Sequence, residues 1–218
     1  EIRETIEELV TGRLESYYDF VRGNGDIQVL TPTRKGGLGT ASLNEMLQSI
    51  INPASEEINE RKFGSKVFRE GDKVMQIRNN YQMEWQQLGR QSGRGIFNGD
   101  MGVINTIDND NAKMVVDFDG RFVTYDSEEF DELELAYAVT VHKSQGCEFP
   151  VVIMPISGFP PMLATRNLLY TAITRGKKLV ILVGSEARMH RMIDNNRIDE
   201  RYTGLEARLR DVDMGGLF

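Results

Sequence analysis

The sequence predicts an α/β fold with a mainly parallel sheet, interrupted by a small β-barrel. Two continuous apolar runs, 151–156 and 179–183, flank a helical stretch at 166–175, which is typical of buried parallel strands joined by a helix. Between about Lys62 and Asp126 the pattern changes to short segments that alternate between apolar and polar residues. From Leu133 to Val139 the chain is expected to rejoin the first fold, which makes the barrel an insertion.

The N-terminal segment predicts a packing helix over 1–22, ended by Gly23-Asn24-Gly25. Its apolar residues recur every three or four positions and therefore share one helix face: Ile2, Ile6, Leu9, Val10, Leu14, Tyr17, Phe20 and Val21. A short buried strand is predicted at 27–30. A helix at 43–51 should follow, capped by Thr40 or Ser42 and ended by Asn52-Pro53.

The barrel is predicted from five short strands, at 66–68, 72–78, 102–107, 113–118 and 121–125. Asn98-Gly99 and Asp119-Gly120 are turn signals, and the second should form a type I′ turn with positive φ at both residues. The polar stretch 79–94 is interpreted as a long loop rather than a hairpin. Its aromatic residues, Tyr81 and Trp85, fit either the barrel core or a surface that stacks on bases.

Composition excludes several classes of protein. The 218 residues are 40% hydrophobic, enough for a proper core, and the net charge of −7 argues against a protein that binds nucleic acid through bulk positive charge. The single cysteine, Cys147, excludes an internal disulfide and a multi-cysteine zinc site, so a reducing cytoplasmic location is expected. No apolar run approaches the roughly 20 residues of a membrane span, and no signal peptide is visible. The missing initiator methionine suggests a fragment.

A polar cluster between two apolar runs is the candidate site. Thr140, His142, Lys143, Gln145 and Gly146 are followed by Glu148 and then by an apolar strand. Hydroxyl, imidazole, ammonium and amide groups all bond phosphate oxygens or sugar hydroxyls, so these residue types favour a nucleotide or nucleic-acid site. The alternative is a capped helix start with a solvated loop.

Two other phosphate-binding patterns are missing. The loop 36–39 is rich in glycine but has Ser42 where a dinucleotide fingerprint needs its third glycine, and we reject that interpretation. The chain also has no G-x-x-x-x-G-K-[ST] phosphate loop. A phosphate cradle and the magnesium ligands must therefore come from elsewhere.

Three segments in order resemble motifs of the RecD-like branch of superfamily 1 DNA helicases. VLTPTRKGGLG at 29–39 resembles motif IV, TVHKSQGCEFP at 140–150 resembles motif V, and NLLYTAITR at 167–175 resembles motif VI. The resemblance implies the C-terminal motor half of an ATP-dependent 5′ to 3′ helicase. Residues 1–61 and 127–218 would form the second RecA-like domain, and 62–126 an SH3-like β-barrel insertion that guides single-stranded DNA.

The same resemblance assigns roles to individual residues. Arg175 matches the arginine finger and Arg34 the motif IV arginine that reaches the terminal phosphates. The nucleotide would also be contacted by Gln145, Gly146 and Glu148, the last of these at the ribose. The resemblance places Thr140, His142 and Lys143 on the DNA.

The implied cofactor is ATP with Mg²⁺, whose ligands are expected in the N-terminal RecA-like domain of the same protein. That domain and single-stranded DNA are the expected partners, with no membrane and no metal site in this chain. Without the N-terminal domain the fragment is predicted to be inactive.

Other functions stay open. The chain fits a non-catalytic DNA-binding or scaffold module, the helicase half of a conjugative relaxase, or the RecD subunit of an exonuclease V complex. A phosphate loop upstream would exclude the first of these, and relaxase histidines or a partner-dependent nuclease would separate the others. His142 as a general base is rejected, because no nucleophile signature surrounds it. Cys147 lies in an apolar-flanked turn beside an acid, which should raise its pKa.

Overall fold

The computed structural model describes residues 1–14, 26–87 and 91–196. These residues form a four-stranded parallel sheet, a seven-stranded antiparallel sheet and a two-stranded hairpin. The predicted α/β class with a mainly parallel sheet and a β-rich insertion is therefore confirmed.

The bounds of the elements follow chain order. The helices are α1 (Ile2–Glu8), which continues as a π-helix (Leu9–Arg13), α2 (Thr40–Ile51), α3 (Arg166–Ile173) and α4 (Glu186–Asp194). Short 3-10 helices lie at Ser127–Glu132 and Pro161–Leu163. The strands are β1 (Ile27–Thr31), β2 (Glu60–Phe63), β3 (Lys66–Arg69), β4 (Lys73–Gln76), β5 (Asn80–Gln87), β6 (Ser92–Ile96), β7 (Met101–Asp108), β8 (Lys113–Phe118), β9 (Arg121–Asp126), β10 (Leu133–Leu135), β11 (Ala138–Thr140), β12 (Phe149–Pro155) and β13 (Gly176–Val183).

The parallel sheet has the order β11-β1-β12-β13 and carries helices on both faces. Alternate residues of β12 point to opposite faces, and each set has its own core. Val152 and Met154 pack in a cluster with α3 and α4 residues, among them Leu169. Val151 and Ile153 pack with Ile6, Val10, Leu14, Leu43 and Leu47 from the N-terminal segment and α2. This two-sided burial explains why the strands are continuously apolar in the sequence.

Both predicted N-terminal helices are found, with corrected limits. The first becomes a π-helix at Leu9, and its predicted part from 15 to 22 lies outside the described residues. Helix α2 begins at Thr40, with Gly39 as its N-cap and no side-chain cap. The predicted Thr40 or Ser42 cap is therefore wrong. The loop takes that role, because Thr33 and Arg34 carbonyls accept from the Thr40 and Ala41 N–H groups.

Four of the five predicted barrel strands lie in the antiparallel sheet, as β4, β7, β8 and β9, whereas the first, at 66–68, lies in β3 of the two-stranded hairpin. Asp119 and Gly120 have φ values of 54° and 82°, and they connect Phe118 to its pairing partner Arg121. The type I′ turn is confirmed. Apolar side chains from alternate positions of these strands fill the barrel core, including the fully buried Phe118 and Tyr125.

The interpretation of 79–94 as a long loop is wrong. Strands β5 and β6 form an antiparallel hairpin in which Trp85 lies opposite Gly93. A Cβ atom at Gly93 would lie 2.3 Å from the Trp85 ring, so only glycine leaves room for the indole. Trp85 packs against the barrel core, whereas Tyr81 is 65% exposed and meets Phe97 edge to face at 5.6 Å between ring centres. Most residues of β5 are polar, so its sequence lacks the regular alternation of apolar and polar residues that predicts a strand.

The chain leaves the barrel later than expected. Leu133–Leu135 pairs with β4 in the antiparallel sheet, and the chain joins the parallel sheet only at Ala138. The expectation that Leu133 already belongs to the first fold is corrected by this pairing. The predicted limits of the insertion, 62 and 126, stay a prediction, and we propose that its C-terminal limit lies near Leu135.

A buried carboxylate joins the barrel to α2 and to the parallel sheet. Asp72, which precedes β4, accepts from Gln48 and Asn52 side chains, from the Arg69 N–H and from the Tyr137 hydroxyl. Burial raises the pKa of Asp72, and the four donors oppose that rise. The carboxylate thus satisfies groups from three separate segments.

Removal of this carboxylate should be costly. We expect Asp72→Ala to lower the free energy of unfolding by about 3 kcal/mol or more, because it leaves several buried donors without an acceptor. Urea denaturation measures the change. The exposed Asp110→Ala is the matched control, expected within about 0.5 kcal/mol of wild type. Equal losses in both variants would show that the network does not stabilise the fold.

A buried lysine lies at the same junction. Lys73 of β4 is 8% exposed, donates to Gln28 Oε1 at 2.8 Å, and lies 5.5 Å from the Phe149 ring centre. Burial lowers the pKa of Lys73 to about 8, well below its ordinary value of 10.5. Charged Lys73 therefore disfavours the folded state at neutral pH.

This lysine should make stability depend on alkaline pH. The free-energy cost of burying charged Lys73 is full below about pH 8 and is relieved as the pH rises towards 10.5. The free energy of unfolding should therefore rise by about 3 kcal/mol across that window. Lys73→Met should remove the rise, whereas Lys62→Met, at an exposed position of β2, should keep it. Denaturation of the three proteins between pH 7 and 10 tests this, and parallel curves for wild type and Lys73→Met would contradict it.

Candidate functional site

The candidate site is built on the connection 141–148. Strands β11 and β12 are parallel and lie on either side of β1, so the chain must return from the C-terminal edge of the sheet to its N-terminal edge. It does so through turns at 141–146 rather than a helix. Ser144 is fully buried and donates to the Val141 carbonyl at 2.8 Å, and Gly146 has a φ of 88° that favours glycine. The polar cluster therefore begins at one edge and ends at the other.

Arg175 lies at the N-terminal edge, between α3 and β13. Its guanidinium donates from Nη1 to the Cys147 carbonyl at 2.9 Å, from Nη2 to Thr174 Oγ1 at 3.3 Å and from Nε to the Thr171 carbonyl at 3.3 Å. Its own carbonyl accepts from the Phe149 N–H at 2.8 Å. The side chain is half-buried and folded against the connection, not extended beyond the helix. Three of its five N–H donors are used in this way, which leaves one on each terminal nitrogen.

The other predicted nucleotide residues lie in the second half of the connection. Gln145, Gly146 and Glu148 are all exposed, and Glu148 pairs with Lys177 of β13 at 3.1 Å. Between them, burial raises the pKa of the Cys147 thiol, and Arg175 opposes that rise. The predicted rise in the pKa of Cys147 is confirmed. Burial is its main cause, and the negative charge of Asp100, rather than that of the adjacent Glu148, adds to it.

The predicted DNA residues lie at the C-terminal edge. Thr140 ends β11, and its Oγ1 accepts from the Lys143 N–H at 3.3 Å. The His142 side chain is exposed. Lys143 is half-buried and its ammonium pairs with Glu134 at 3.1 Å. A hydroxyl, an imidazole and an ammonium group thus border one edge.

Arg34 lies at this second edge as well. It follows the C-terminal end of β1, and its guanidinium pairs with Glu134, the same carboxylate that binds Lys143. Arg175 precedes Gly176, which pairs with Phe149 at the opposite edge, about 20 Å away along the strands. The two arginines that the resemblance assigns to the terminal phosphates therefore start from opposite edges of the sheet, and that assignment stays a prediction. The strand order separates them.

Two residues at the C-terminal edge were not anticipated. Glu134 belongs to β10 of the antiparallel sheet, and Lys66 of β3 donates to the adjacent Leu133 carbonyl at 2.8 Å. Burial lowers the pKa of Lys66, while the negative charge of Glu134 opposes that change. A single acid in a three-residue strand gives no signal in the sequence, so only the pairing of β10 with β4 reveals it.

The described ranges contain no group of three or more His, Cys, Asp or Glu side chains that would hold a metal ion. Among the described residues, no helix is long and apolar enough to cross a membrane.

Comparison with protein families gives two matches in chain order. The model described as the ATP-dependent RecD-like DNA helicase SH3 domain matches residues 43–118. The model described as the UvrD-like helicase C-terminal domain matches residues 135–183. The second match includes the connection 141–148 and Arg175.

Curated relatives carry related names. The ATP-dependent RecD2 DNA helicase of Deinococcus radiodurans is 35% identical over 188 residues, which are 86% of this chain and 24% of the relative. The RecBCD enzyme subunit RecD of Mycolicibacterium smegmatis is 31% identical over 187 residues, 86% of this chain and 30% of the relative. The chain therefore spans about a quarter to a third of the length of these relatives.

Solved structures share the fold. The Pif1 helicase from Bacteroides in complex with ADP-AlF3 and single-stranded DNA matches with a TM-score of 0.53 at 18% identity. The match covers 98% of this chain and 50% of the Pif1 chain. The Pif1 helicase from Candida albicans has a TM-score of 0.52 at 16% identity, covering 98% of this chain and 53% of that one. With its SH3 and C-terminal helicase domains in order and relatives named RecD, the chain belongs to the RecD-like superfamily 1 helicases as a motor-domain segment.

Proposed function

We propose that this chain supplies the C-terminal motor half of an ATP-dependent 5′ to 3′ DNA helicase. The observation that carries the proposal is the connection 141–148, which joins an edge with Arg175 and Glu148 to an edge with Thr140, His142 and Lys143. A translocating motor requires a short connection of this kind between a nucleotide edge and a DNA edge. The name of the Deinococcus relative, an ATP-dependent DNA helicase, supports this assignment.

The nucleotide edge would act on ATP bound by the N-terminal RecA-like domain of the same protein. That domain would provide the phosphate loop and the Mg²⁺ ligands, because the present chain has no such loop. When bound, ATP with Mg²⁺ supplies the phosphoryl group whose transfer drives movement. Arg175 would direct its two unused Nη–H donors at charge that develops on that group.

The remaining contacts at this edge would orient the nucleotide. Glu148 is exposed and its carboxylate is an acceptor suited to ribose hydroxyls, with Gln145 and Gly146 beside the phosphates. The partner of Glu148, Lys177, is more than half exposed, so the pair breaks at little cost. In the absence of the N-terminal domain, we expect this chain to be inactive as an ATPase.

The DNA edge would hold single-stranded DNA through its phosphates. Thr140, His142 and Lys143 offer one hydroxyl, one imidazole and one ammonium group, all suited to backbone contacts that carry no sequence information. Arg34 would join this edge rather than the nucleotide, because it shares Glu134 with Lys143. The exposed Tyr81 on the barrel offers a face on which a base would stack.

The role of Arg175 is tested in the full-length helicase that contains this chain. We expect Arg175→Ala to reduce DNA-stimulated kcat on the order of 10³-fold while nucleotide Kd changes only a few-fold, because a finger acts on the transition state. Arg175→Lys should resemble the alanine variant, since an ammonium group lacks the planar fork of the guanidinium.

Arg191→Ala on exposed α4 is the control for loss of a surface arginine. A thermal melt of Arg175→Ala checks that loss of the Cys147 contact has not unfolded the site. A Kd that rises in step with the lost kcat would make Arg175 a ground-state binding residue. Unchanged kinetics would favour a non-catalytic DNA-binding module.

The two histidines provide a matched pair for the DNA edge. In the full-length helicase, His142→Ala should weaken binding of a single-stranded oligonucleotide several-fold and leave residual ATPase activity, because the lost contact is to the DNA backbone. His190→Ala, at an exposed position on α4 beside Glu186, should leave DNA affinity unchanged. Fluorescence anisotropy with labelled oligothymidine measures both. Equal affinities for the two variants would remove His142 from the DNA edge.

A further inference from the structure

The C-terminal edge contains a bridged ion cluster. The two carboxylate oxygens of Glu134 bind different cations: Oε1 pairs with the Arg34 guanidinium and Oε2 with the Lys143 ammonium at 3.1 Å. The Lys66 ammonium is held next to them by the Leu133 carbonyl. Three cations thus surround one bridging acid in a chain whose net charge is −7.

Asp131, a further acid near this cluster, does not cancel its excess of positive charge. Asp131 influences Lys66 but already pairs with Arg78 at 2.9 Å. Arg34, Glu134 and Lys143 line one depression together with Thr40. Thr40 is the first residue of the 12-residue helix α2, so the positive end of the helix dipole lies at this edge. The local field therefore favours an anion, although the chain as a whole is acidic.

The bridging acid comes from a different sheet than two of its partners. Arg34 and Lys143 lie in loops of the parallel sheet, whereas Glu134 and Lys66 lie in strands of the barrel side. The barrel thus places a carboxylate between two cations of the motor edge. No local pattern in either segment requires this contact.

A carboxylate in this position resembles a phosphodiester. Both groups carry one negative charge over two oxygens, and both suit an arginine and a lysine side by side. The Arg34 side chain is 62% exposed, so its pair with Glu134 contributes little net stability. The Glu134–Lys143 pair is more buried, with both side chains 26% exposed, and an entering phosphate must replace the charge of Glu134 there as well.

We propose that Arg34, Lys66 and Lys143 form a binding site for one DNA phosphate, and that Glu134 occupies this site when DNA is absent. The proposal rests on the DNA edge proposed above and adds a barrel residue and an internal competitor to it. A phosphate that enters must displace Glu134 from both cations. Glu134 thereby lowers the affinity of the edge for DNA and releases a contact between the barrel and the motor when DNA binds.

Glu134→Gln tests the proposal in the 218-residue chain, because glutamine keeps the shape and removes the charge. We expect oligothymidine, labelled for anisotropy, to bind about 10-fold more tightly to Glu134→Gln than to wild type at low salt. The control is Glu84→Gln, which removes an exposed ion pair with Arg94 elsewhere on the barrel and changes net charge by the same amount. It should change affinity less than two-fold, on the order of a bulk charge effect.

A double-mutant cycle separates this inference from the proposed function. If Glu134 competes for Arg34, the gain from Glu134→Gln should be lost in an Arg34→Ala background. If Glu134→Gln and Glu84→Gln bind DNA equally well, but Arg34→Ala still weakens binding, then Glu134 does not compete with DNA and the DNA edge remains. An Arg34→Ala variant that binds DNA as wild type does would instead remove the DNA edge itself. Thermal melts of each variant exclude loss of folding as the cause.

Discussion

The position of β1 between β11 and β12 is the constraint on which the site depends. Because the three strands are parallel, the chain has to cross from one edge of the sheet to the other within 141–148. A short connection has few alternative conformations, so the strands fix the positions of its two ends. The buried Ser144 and the left-handed Gly146 hold its middle. In this way a single segment acquires two chemically different ends.

The antiparallel module is joined to this frame by buried polar groups as well as by apolar contacts, since Met75 of β4 belongs to the same core cluster as Phe149 and Val152. Asp72 accepts from the Gln48 and Asn52 side chains at α2, from the Arg69 N–H at the end of β3 and from the Tyr137 hydroxyl. Lys73 donates to Gln28 of β1. Buried hydrogen bonds of this kind require one geometry, because a shifted barrel would leave several of them unsatisfied. Glu134 adds two ion pairs to the same junction, one with the exposed Arg34 and one with the more buried Lys143. The buried hydrogen bonds thus fix the position of the module, whereas the ion pairs of Glu134 can change partners.

Local sequence patterns predicted the elements that depend on local physics. The Asp119-Gly120 turn follows from the need for positive φ at two residues, and the parallel strands follow from continuous apolar runs that are buried on both faces. The hairpin of β5 and β6 was missed, because its residues are polar on the exposed face and Trp85 is covered only by the folded barrel. The cap of α2 was missed for a similar reason, since loop carbonyls replaced the side chain.

The sequence by itself determined the fold class, the inserted β-module, the motifs and the residue types of the candidate site. The tertiary structure alone decided which edge each residue occupies. Arg34 and Arg175 both belong to motifs, but the order β11-β1-β12-β13 places them at opposite edges. Glu134 reaches Arg34 only because β10 pairs with β4 across the junction. Such contacts join residues about 100 positions apart, and strand pairing over that distance depends on the packing of the whole chain rather than on neighbouring residues.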